Sequence, residues 1–404
     1  MNQITAPSSP DQVNGLINEI SDQGRAFAGN EAGARETLLA KAQALVAAIE
    51  SPMDRILSIS YRGPAEFAAA RIAIDLGIFD TLTKNGGATM SAAELSAGTG
   101  ADRVFVLRVL RQLAASGLIK QSGPDAWVPS TLTYFLAMPK YRDTIQFTFD
   151  LPGRAIARLP AYVASTGYKN PSDPMDGPFQ FAIGEKKHGW QYARERPQLM
   201  AALQNHMAGL RDARPRWTDP GFYPFAERLE EGIKLDGDAG AVVDVGGGMG
   251  HDLEAVMAAR PRFPGKLVLQ ELPQVVARCK DNGKFEAMEH DFYKPQPVKG
   301  ARAYLLHSIL HGCSDEQCKV VLSHLRDAME PGYSRLLVDE LVVPEMAASW
   351  KVTSMDLYVM ALSSNGERTE AQYRQLLETA GLEVTGIFES VDPDGERVIE
   401  AMRV

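Results

Sequence analysis

Cysteine is scarce in this chain, and its scarcity limits both the chemistry and the expected compartment. The sequence of 404 residues contains three cysteines, Cys279, Cys313 and Cys318. An odd number without zinc-type spacing predicts neither a disulfide framework nor a metal site. Reduced thiols of this kind are typical of a reducing compartment, so a cytoplasmic location is expected.

The sequence also lacks an excess of positive charge and any long apolar run. Its 42 lysines and arginines are outnumbered by 51 aspartates and glutamates, giving a formal net charge of −9. Nucleic-acid binding relies on Lys and Arg contacts to phosphate, so this balance disfavours a nucleic-acid partner. No apolar run reaches the roughly 18 residues of a membrane span, and the polar N-terminus has no signal-peptide core. No membrane association is therefore expected.

Residues 1–140 predict a helical domain that ends in a winged helix. Helices are expected near residues 11–25 and 31–50, and the second has an apolar stripe formed by Leu38, Leu39, Ala42, Leu45, Val46 and Ile49. Further along, Ser91 and Glu94 have the spacing of a capping box, residues 103–113 form an amphipathic helix, and residues 122–125 form a hairpin turn. The early stripe requires a partner surface, either the next domain or a second subunit.

A winged helix has two ordinary uses, DNA binding and packing between domains or subunits. The predicted recognition helix has few arginines, and acidic residues are interspersed around it. Packing and dimerisation are therefore the favoured interpretation.

Residues 141–230 are helical with turn-rich interruptions, including a Pro- and Asp-rich loop at 170–178. Aromatic and methionine side chains are frequent here. Each one alone is typical of a core. Together, directly before an α/β domain, they are expected to line an apolar substrate pocket, with Phe147 as one candidate.

From residue 231 to 404 the hydrophobic period changes. Short apolar runs at residues 242–245, 266–270, 303–306 and 335–338 alternate with helical stretches. This alternation predicts a parallel sheet covered by helices on both faces. Two last strands, at 382–388 and 397–402, form a closing pair. Such a pair fits the Rossmann-like class I methyltransferase fold better than a dinucleotide-binding fold.

A glycine-rich turn follows the first of these strands. It contains Asp244, Gly246, Gly248 and Gly250, and a helix begins directly after it. Glycine permits positive φ and a close approach of backbone to ligand, and the helix N-terminus presents free N–H groups. A dinucleotide fingerprint would require glycine where His251 stands. An acid two residues before Gly-x-Gly-x-Gly is instead the pattern of S-adenosylmethionine (SAM) binding.

Two further positions complete the predicted cofactor site. Glu271 ends the second strand, where a carboxylate can accept hydrogen bonds from both ribose hydroxyls. Asp291 and Phe292 end the third strand, where the adenine would be held. SAM is therefore the cofactor that the sequence predicts.

Six segments of the chain stand in a characteristic order, at residues 243–250, 270–273, 290–292, 310–311, 337–340 and 365–369. At these residues, and from about residue 50 onwards, the chain resembles the caffeate-type O-methyltransferases of plants and fungi, especially their fungal secondary-metabolite branch. The resemblance implies a homodimer formed through an N-terminal winged-helix domain. It also implies methylation of a hydroxyl, mostly phenolic, on a small molecule.

The resemblance places the catalytic histidine at His311 and its supporting acids at Glu340 and Glu367. A phenol has a pKa near 10 and is a poor nucleophile while protonated. A neutral histidine can take its proton as the oxygen attacks the sulfonium methyl. A carboxylate on the other ring nitrogen fixes the tautomer and stabilises the imidazolium.

Substrate contacts of the family fall on Met207 and, approximately, on Met360. His307 stands four residues before His311. It competes with His311 for the role of base and is otherwise a candidate substrate contact.

The family's His-Asp-Trp motif is altered here to His311-Gly312-Cys313. Some fungal members of this fold bind SAM yet resemble pericyclases, which steer a cycloaddition or rearrangement without methyl transfer, and their motif is altered as well. O-methylation with His311 as base is the first interpretation and a SAM-binding pericyclase is the second. A silent SAM-binding protein fits least, because His311, Glu340 and Glu367 are all present.

Overall fold

The computed structural model describes residues 3–31, 33–212, 214–279, 283 and 285–403. Packing divides them into two compact units. The first runs up to Gly153 and includes Trp190–Leu210, and the second contains Arg154–Gly189 and the chain from Arg211 onwards. The three-part division at residues 140 and 230 stays a prediction. Within the described ranges, no helix combines the length and apolar character needed to cross a membrane.

The chain up to residue 212 is helical except for one hairpin. Its helices are α1 (Val13–Ala28), α2 (Ala34–Ile49), α3 (Pro52–Leu57), α4 (Gly63–Asp75), α5 (Ile78–Lys84), α6 (Ala92–Ser96), α7 (Arg103–Ala115), α8 (Thr131–Leu136), α9 (Pro139–Asp150), α10 (Pro152–Ser165), α11 (Pro178–Ile183), α12 (Gly189–Arg194) and α13 (Pro197–Asp212). The antiparallel hairpin consists of β1 (Ile119–Gly123) and β2 (Ala126–Pro129).

The winged-helix part of the first unit forms as the sequence predicts. Ser91 and Glu94 make the capping box of α6: the Glu94 backbone N–H donates to the Ser91 hydroxyl, and the Ser91 N–H donates to the Glu94 carboxylate at 2.7 Å. Helix α7 buries Val106, Leu110 and Leu113 against the hairpin and its neighbours. Each such side chain stabilises the fold by about 1.5–3 kcal/mol relative to exposure.

The apolar stripe of α2 is only partly covered within the chain. Helices α1 and α2 pack on each other, yet Leu39, Val46 and Ile49 remain 43%, 55% and 52% exposed. The side of α2 that carries these three residues therefore stays exposed among the residues that the structure describes.

The second unit is an α/β structure around an eight-stranded sheet. Its strands are β3 (Val242–Val245), β4 (Leu267–Glu271), β5 (Glu286–Glu289), β6 (Ala303–His307), β7 (Arg335–Val343), β8 (Arg368–Thr369), β9 (Leu382–Glu389) and β10 (Glu396–Arg403). Its remaining helices are α14 (His251–Ala259), α15 (Pro273–Val276), α16 (Asp315–Ala328), α17 (Trp350–Ser363) and α18 (Glu370–Thr379).

The strand order is β5-β4-β3-β6-β7-β10-β9, with β8 paired to β7. Strands β3 to β7 pair in parallel, whereas β10 is antiparallel to both β7 and β9. This arrangement is the parallel sheet with a closing strand pair that the sequence predicts. It gathers the carboxyl ends of the parallel strands at one edge, where such folds bind ligands.

The central strands β3, β6 and β7 are buried on both faces, which explains their continuous apolar runs. In β7, Leu336 and Val338 point into one core together with α16 and α18, whereas Leu337 points into the other core together with α14. The alternation continues to the next two residues, so Asp339 and Glu340 face opposite sides of the sheet.

Candidate functional site

The glycine turn after β3 has the backbone conformation expected of a ligand cradle. Gly246, Gly248 and Gly250 all have positive φ, and Gly250 is the N-cap of α14. A Cβ at Gly248 would meet no atom within 4 Å, so this stretch of backbone borders open space. A Cβ at Gly247 would lie 2.0 Å from the Asp244 carboxylate, which is tucked directly beneath the turn.

The other predicted cofactor residues converge on this turn. Glu271 ends β4, and its carboxylate accepts hydrogen bonds from the backbone N–H groups of Gly248 at 3.3 Å and Leu272 at 2.6 Å. Phe292 carbon atoms lie 3.5 Å from the Cβ position of Gly246. Asp291 and Phe292 lie just beyond β5, not within it. The ends of three adjacent strands thus come together as the spacing predicts.

His311 lies on a short helical turn, Leu310–Gly312, between two buried carboxylates. Its Nδ1 is 3.0 Å from Glu367 Oε1 and 3.7 Å from Glu340 Oε2. Burial alone would lower the pKa of His311, but the two carboxylates outweigh it and raise the pKa to about 9. Within the described residues, no group hydrogen-bonds to Nε2, so one ring nitrogen is available.

Glu340 holds the backbone that precedes His311. Its Oε1 accepts hydrogen bonds from the N–H groups of Ile309 at 2.9 Å and Leu310 at 2.6 Å. Burial raises the pKa of Glu340. Glu340 therefore fixes the turn while its second oxygen faces the imidazole.

Gly312 and Cys313, which replace the family's Asp-Trp, differ in their surroundings. A Cβ at Gly312 would meet nothing within 4 Å. Cys313 is buried, with its Sγ 3.4 Å from the Tyr293 hydroxyl. Residue 312 therefore borders open space, whereas the side chain of residue 313 is enclosed by its neighbours.

Arg368 is a site residue that the sequence did not single out. Its guanidinium donates to the carbonyl oxygens of Leu310 at 2.7 Å and Cys313 at 2.8 Å, and also to Asp315. It therefore holds the turn that carries His311 from its other side. Its position directly after Glu367 is the sequence feature that could have pointed to Arg368 as a site residue.

His307, at the end of β6, lies in a second cluster. Its Nδ1 is 3.0 Å from both oxygens of Asp252 and 3.8 Å from Asp339, and its Nε2 is 3.3 Å from Glu396. These carboxylates raise the pKa of His307 well above its ordinary value despite burial. Both ring nitrogens are engaged, so His307 is held as an imidazolium with no free nitrogen to accept a substrate proton.

Two arginines complete this second cluster. Arg211 pairs with Asp252, and Arg214 pairs with Glu396. Burial alone would raise the pKa of Asp252 and of Glu396. The charge of His307, together with those of the arginines, outweighs burial, so the pKa of Asp252 is lowered and that of Glu396 is lowered to about 2. Sequence reasoning did not identify these partners, because they come from distant segments that only the topology brings together.

Each histidine cluster offers three ligand atoms within 4.8 Å of one another, a spacing that would also suit a metal ion. Around His307, the neighbouring arginines already supply positive charge. The expectation of a metal-free protein stays a prediction.

The apolar substrate candidates are divided between the two units. Phe147 is buried in the first unit and stacks on His206, with ring centroids 4.7 Å apart. Met207 lies in the first unit on α13, and Met360 lies half-buried in the second unit on α17. The joint role of these residues in one substrate pocket stays a prediction.

Two family models match the chain: an O-methyltransferase dimerisation domain over residues 63–136 and an O-methyltransferase domain over residues 231–383. The chain is 36% identical over 389 residues to O-methyltransferase mpaG of Penicillium brevicompactum, which covers 96% of this chain and 97% of that protein. The chain therefore belongs to the O-methyltransferase family, in its fungal secondary-metabolite branch. It is a SAM-dependent O-methyltransferase.

Solved structures agree with this assignment. OxaC in complex with S-adenosylhomocysteine (SAH) and oxaline superimposes with a TM-score of 0.85 at 25% identity, over 97% of this chain and 99% of that one. A pericyclic reaction enzyme superimposes with a TM-score of 0.84 at 26% identity, over 98% of this chain and 100% of that one. The predicted fold class and the SAM cofactor are confirmed.

Proposed function

We propose that this enzyme methylates a phenolic or enolic hydroxyl of an aromatic or polyketide-type secondary metabolite, with His311 as general base. The observation that carries the proposal is the geometry of His311: two buried carboxylates face Nδ1 and no described group holds Nε2. A histidine held in this way presents one nitrogen to a substrate hydroxyl.

The electrostatics of the cluster suit a phenol. A higher pKa makes a general base a stronger acceptor for the substrate proton, although only its unprotonated fraction is active. The pKa of His311, raised to about 9, lies close to the value near 10 of a phenol. Glu367 keeps the proton of the neutral ring on Nδ1 and stabilises the imidazolium that forms.

The cofactor residues are proposed on the same basis. Asp244, Gly246, Gly248 and Gly250 would hold the methionine end of SAM. Glu271 would bind the ribose, and Asp291 and Phe292 the adenine. The open space beside Gly248 and the unpartnered buried carboxylate of Asp244 fit a cationic ligand with a long polar body. When bound, SAM supplies an electrophilic methyl group on its sulfonium.

A second candidate function is a pericyclic reaction on the same scaffold. It is favoured by the Gly312-Cys313 replacement and by a protonated His311, because an imidazolium can donate a hydrogen bond to a carbonyl. Similarity to the pericyclic reaction enzyme supports it as well.

One experiment separates the two functions. The chain is incubated with methyl-labelled SAM and a set of phenols and hydroxypyridones, and product masses are recorded. A methylated, labelled product supports the proposal, and an unlabelled isomer or dehydrated product supports the pericyclase. His311→Lys should abolish methyl transfer because lysine stays protonated, but it should retain much of a pericyclic activity.

We also propose that the chain forms a homodimer through its first unit. The matched dimerisation domain and the exposed Leu39, Val46 and Ile49 support this. Obligate interfaces commonly bury more than about 2,000 Å². Light scattering at micromolar concentration should give twice the chain mass, and a monomer would refute the dimer.

A further inference from the structure

The charged cluster around His307 and Asp244 has more buried acids than bases. Asp252, Asp339 and Glu396 surround the imidazole, and the carboxylate of Asp244 lies beneath the glycine turn at the end of the neighbouring strand. The matching positive charges are those of His307, Arg211 and Arg214. If every group is ionised, one negative charge is left over.

We assign this surplus to the two carboxylates that have oxygens without a hydrogen-bond partner in the described structure. Both oxygens of Asp244 and one oxygen of Asp339 are buried and accept no hydrogen bond within the described structure. Asp244 is fully buried and Asp339 nearly so. Buried unpaired charge is costly, so these groups call for either a proton or a cation.

Burial raises the pKa of both carboxyls to about 8. Asp339 is faced by His307, Glu396 and Asp252, and the charge of Glu340, which points to the other side of the sheet, also acts on it. The carboxyl of Asp244 is faced by Asp252, Arg211, His307 and Glu271. Near neutral pH, the ligand-free cluster therefore takes up protons.

We propose that Asp339, acting with Asp244, makes this enzyme distinguish SAM from its demethylated product SAH by charge. The two ligands differ by one methyl group and one positive charge. A cation at the glycine turn stabilises the ionised carboxylates and displaces their protons, and the uncharged sulfur of SAH does not. Asp339 is a specificity-determining residue that acts through the field of the cluster, not through contact with the ligand.

The inference rests on the SAM-binding part of the proposed function and not on the identity of the base. Its consequence for turnover is direct. The product loses the charge that the cluster favours, so SAH is released more readily than SAM.

The test measures dissociation constants of SAM and SAH by calorimetry between pH 6.5 and 9. It uses the full chain, Asp339→Asn, and Glu400→Gln as a matched control. Glu400 is a buried acid on β10, but Tyr223, Arg335 and Thr385 all hydrogen-bond to it. In Asp339→Asn, the ratio of the SAH to the SAM dissociation constant should fall severalfold, because the positive charge of SAM then lacks one of the carboxylates that favour it.

In the unaltered chain this ratio should rise with pH through about 8, and the rise should be weaker in Asp339→Asn. Ionisation of the ligands themselves is the same for both proteins and cancels. Glu400→Gln should leave the ratio unchanged. Equal losses of SAM and SAH affinity, or an unchanged ratio, would overturn the proposal, even if methyl transfer from labelled SAM is observed.

A second measurement tests the proposal even if the Asp339→Asn protein does not fold. Calorimetry of the unaltered chain in two buffers of different ionisation enthalpy counts the protons released on binding. SAM should release more protons than SAH after correction for the free ligands. Equal release would also overturn the proposal.

Discussion

His307 and His311 are four residues apart, both carry a raised pKa, and both lie among buried carboxylates, yet the structure gives them opposite properties. The side chain of His307 is 9% exposed and both of its nitrogens face carboxylates. The side chain of His311 is 25% exposed, and only its Nδ1 faces carboxylates. The raised pKa alone therefore does not single out the proposed base, whereas the free ring nitrogen distinguishes His311 from His307.

The backbone explains the difference. Asp339 lies in register with His307 on one face of the sheet, and Glu340 faces His311 on the other. Between the histidines, Ser308 has a positive φ of 54°. This sharp bend lets one short segment supply an imidazole to each side.

The largest contrast should appear in catalysis. His311→Ala removes the proposed base, so kcat should fall about 10²–10⁴-fold while SAM affinity stays nearly unchanged. Turnover of labelled SAM and calorimetry measure the two quantities. His324→Ala, a histidine on α16, is the control. Wild-type turnover in His311→Ala would defeat this assignment.

For the free energy of unfolding we expect the opposite order, with the larger loss at His307 and the smaller loss at His311. His307→Ala leaves Asp252, Asp339 and Glu396 without their imidazolium, and breaking a buried ion pair in this way costs about 3–5 kcal/mol. Urea unfolding should show this loss for His307→Ala and a smaller one for His311→Ala. Equal losses would remove the distinction between the clusters.

The same cluster predicts how stability depends on pH. The pKa of folded His307 is raised above its ordinary value of 6.5. Its contribution is therefore fully present below pH 6.5 and is lost as pH rises through the folded pKa. The melting temperature of the unaltered chain should fall over this range, whereas that of a folded His307→Gln protein should fall less.

A smaller effect is expected at the acids beside His311. The unprotonated ring is the active form, so kcat/KM should rise with pH through about 9. Glu367→Gln removes one stabilising carboxylate, so this inflection should move to lower pH with a rate loss of about tenfold, less than that of His311→Ala. Rate–pH profiles measure the shift. An unmoved inflection would show that Glu367 does not set the pKa of His311.

The smallest effect is expected at Gly312. Because a Cβ there would meet open space, Gly312→Asp should change the free energy of unfolding by no more than about 0.5 kcal/mol. Cys313→Trp should instead cost about 1–3 kcal/mol or more, because the position is buried. Chemical denaturation of both variants checks this order.

The sequence predicts the sheet well because its central strands are buried on both faces and its parallel strands are separated by helical stretches. The glycine turn and Glu271 can also be located, since their spacing follows from one strand-turn-helix unit and the next strand. His311, Glu340 and Glu367 come from the family resemblance, because no local pattern joins residues on a turn, a strand and a loop.

The cluster around His307 was beyond sequence reasoning for a physical reason. Asp252 comes from α14, Asp339 from β7 and Glu396 from β10, and the position of β10 between β7 and β9 places Glu396 beside β7. Arg211 and Arg214 lie outside the sheet altogether. Seen one at a time in the sequence, these charged residues resemble ordinary solvated side chains.

Arg368 has a consequence for how this enzyme can diverge. Its guanidinium donates hydrogen bonds to the backbone carbonyl oxygens of Leu310 and Cys313. Any amino acid at these two positions would provide the same carbonyl oxygens. Arg368 therefore supports the turn that carries His311 without using the side chain of residue 312. Substitutions at residue 312 can therefore change the chemistry beside His311 while these hydrogen bonds to the turn are kept.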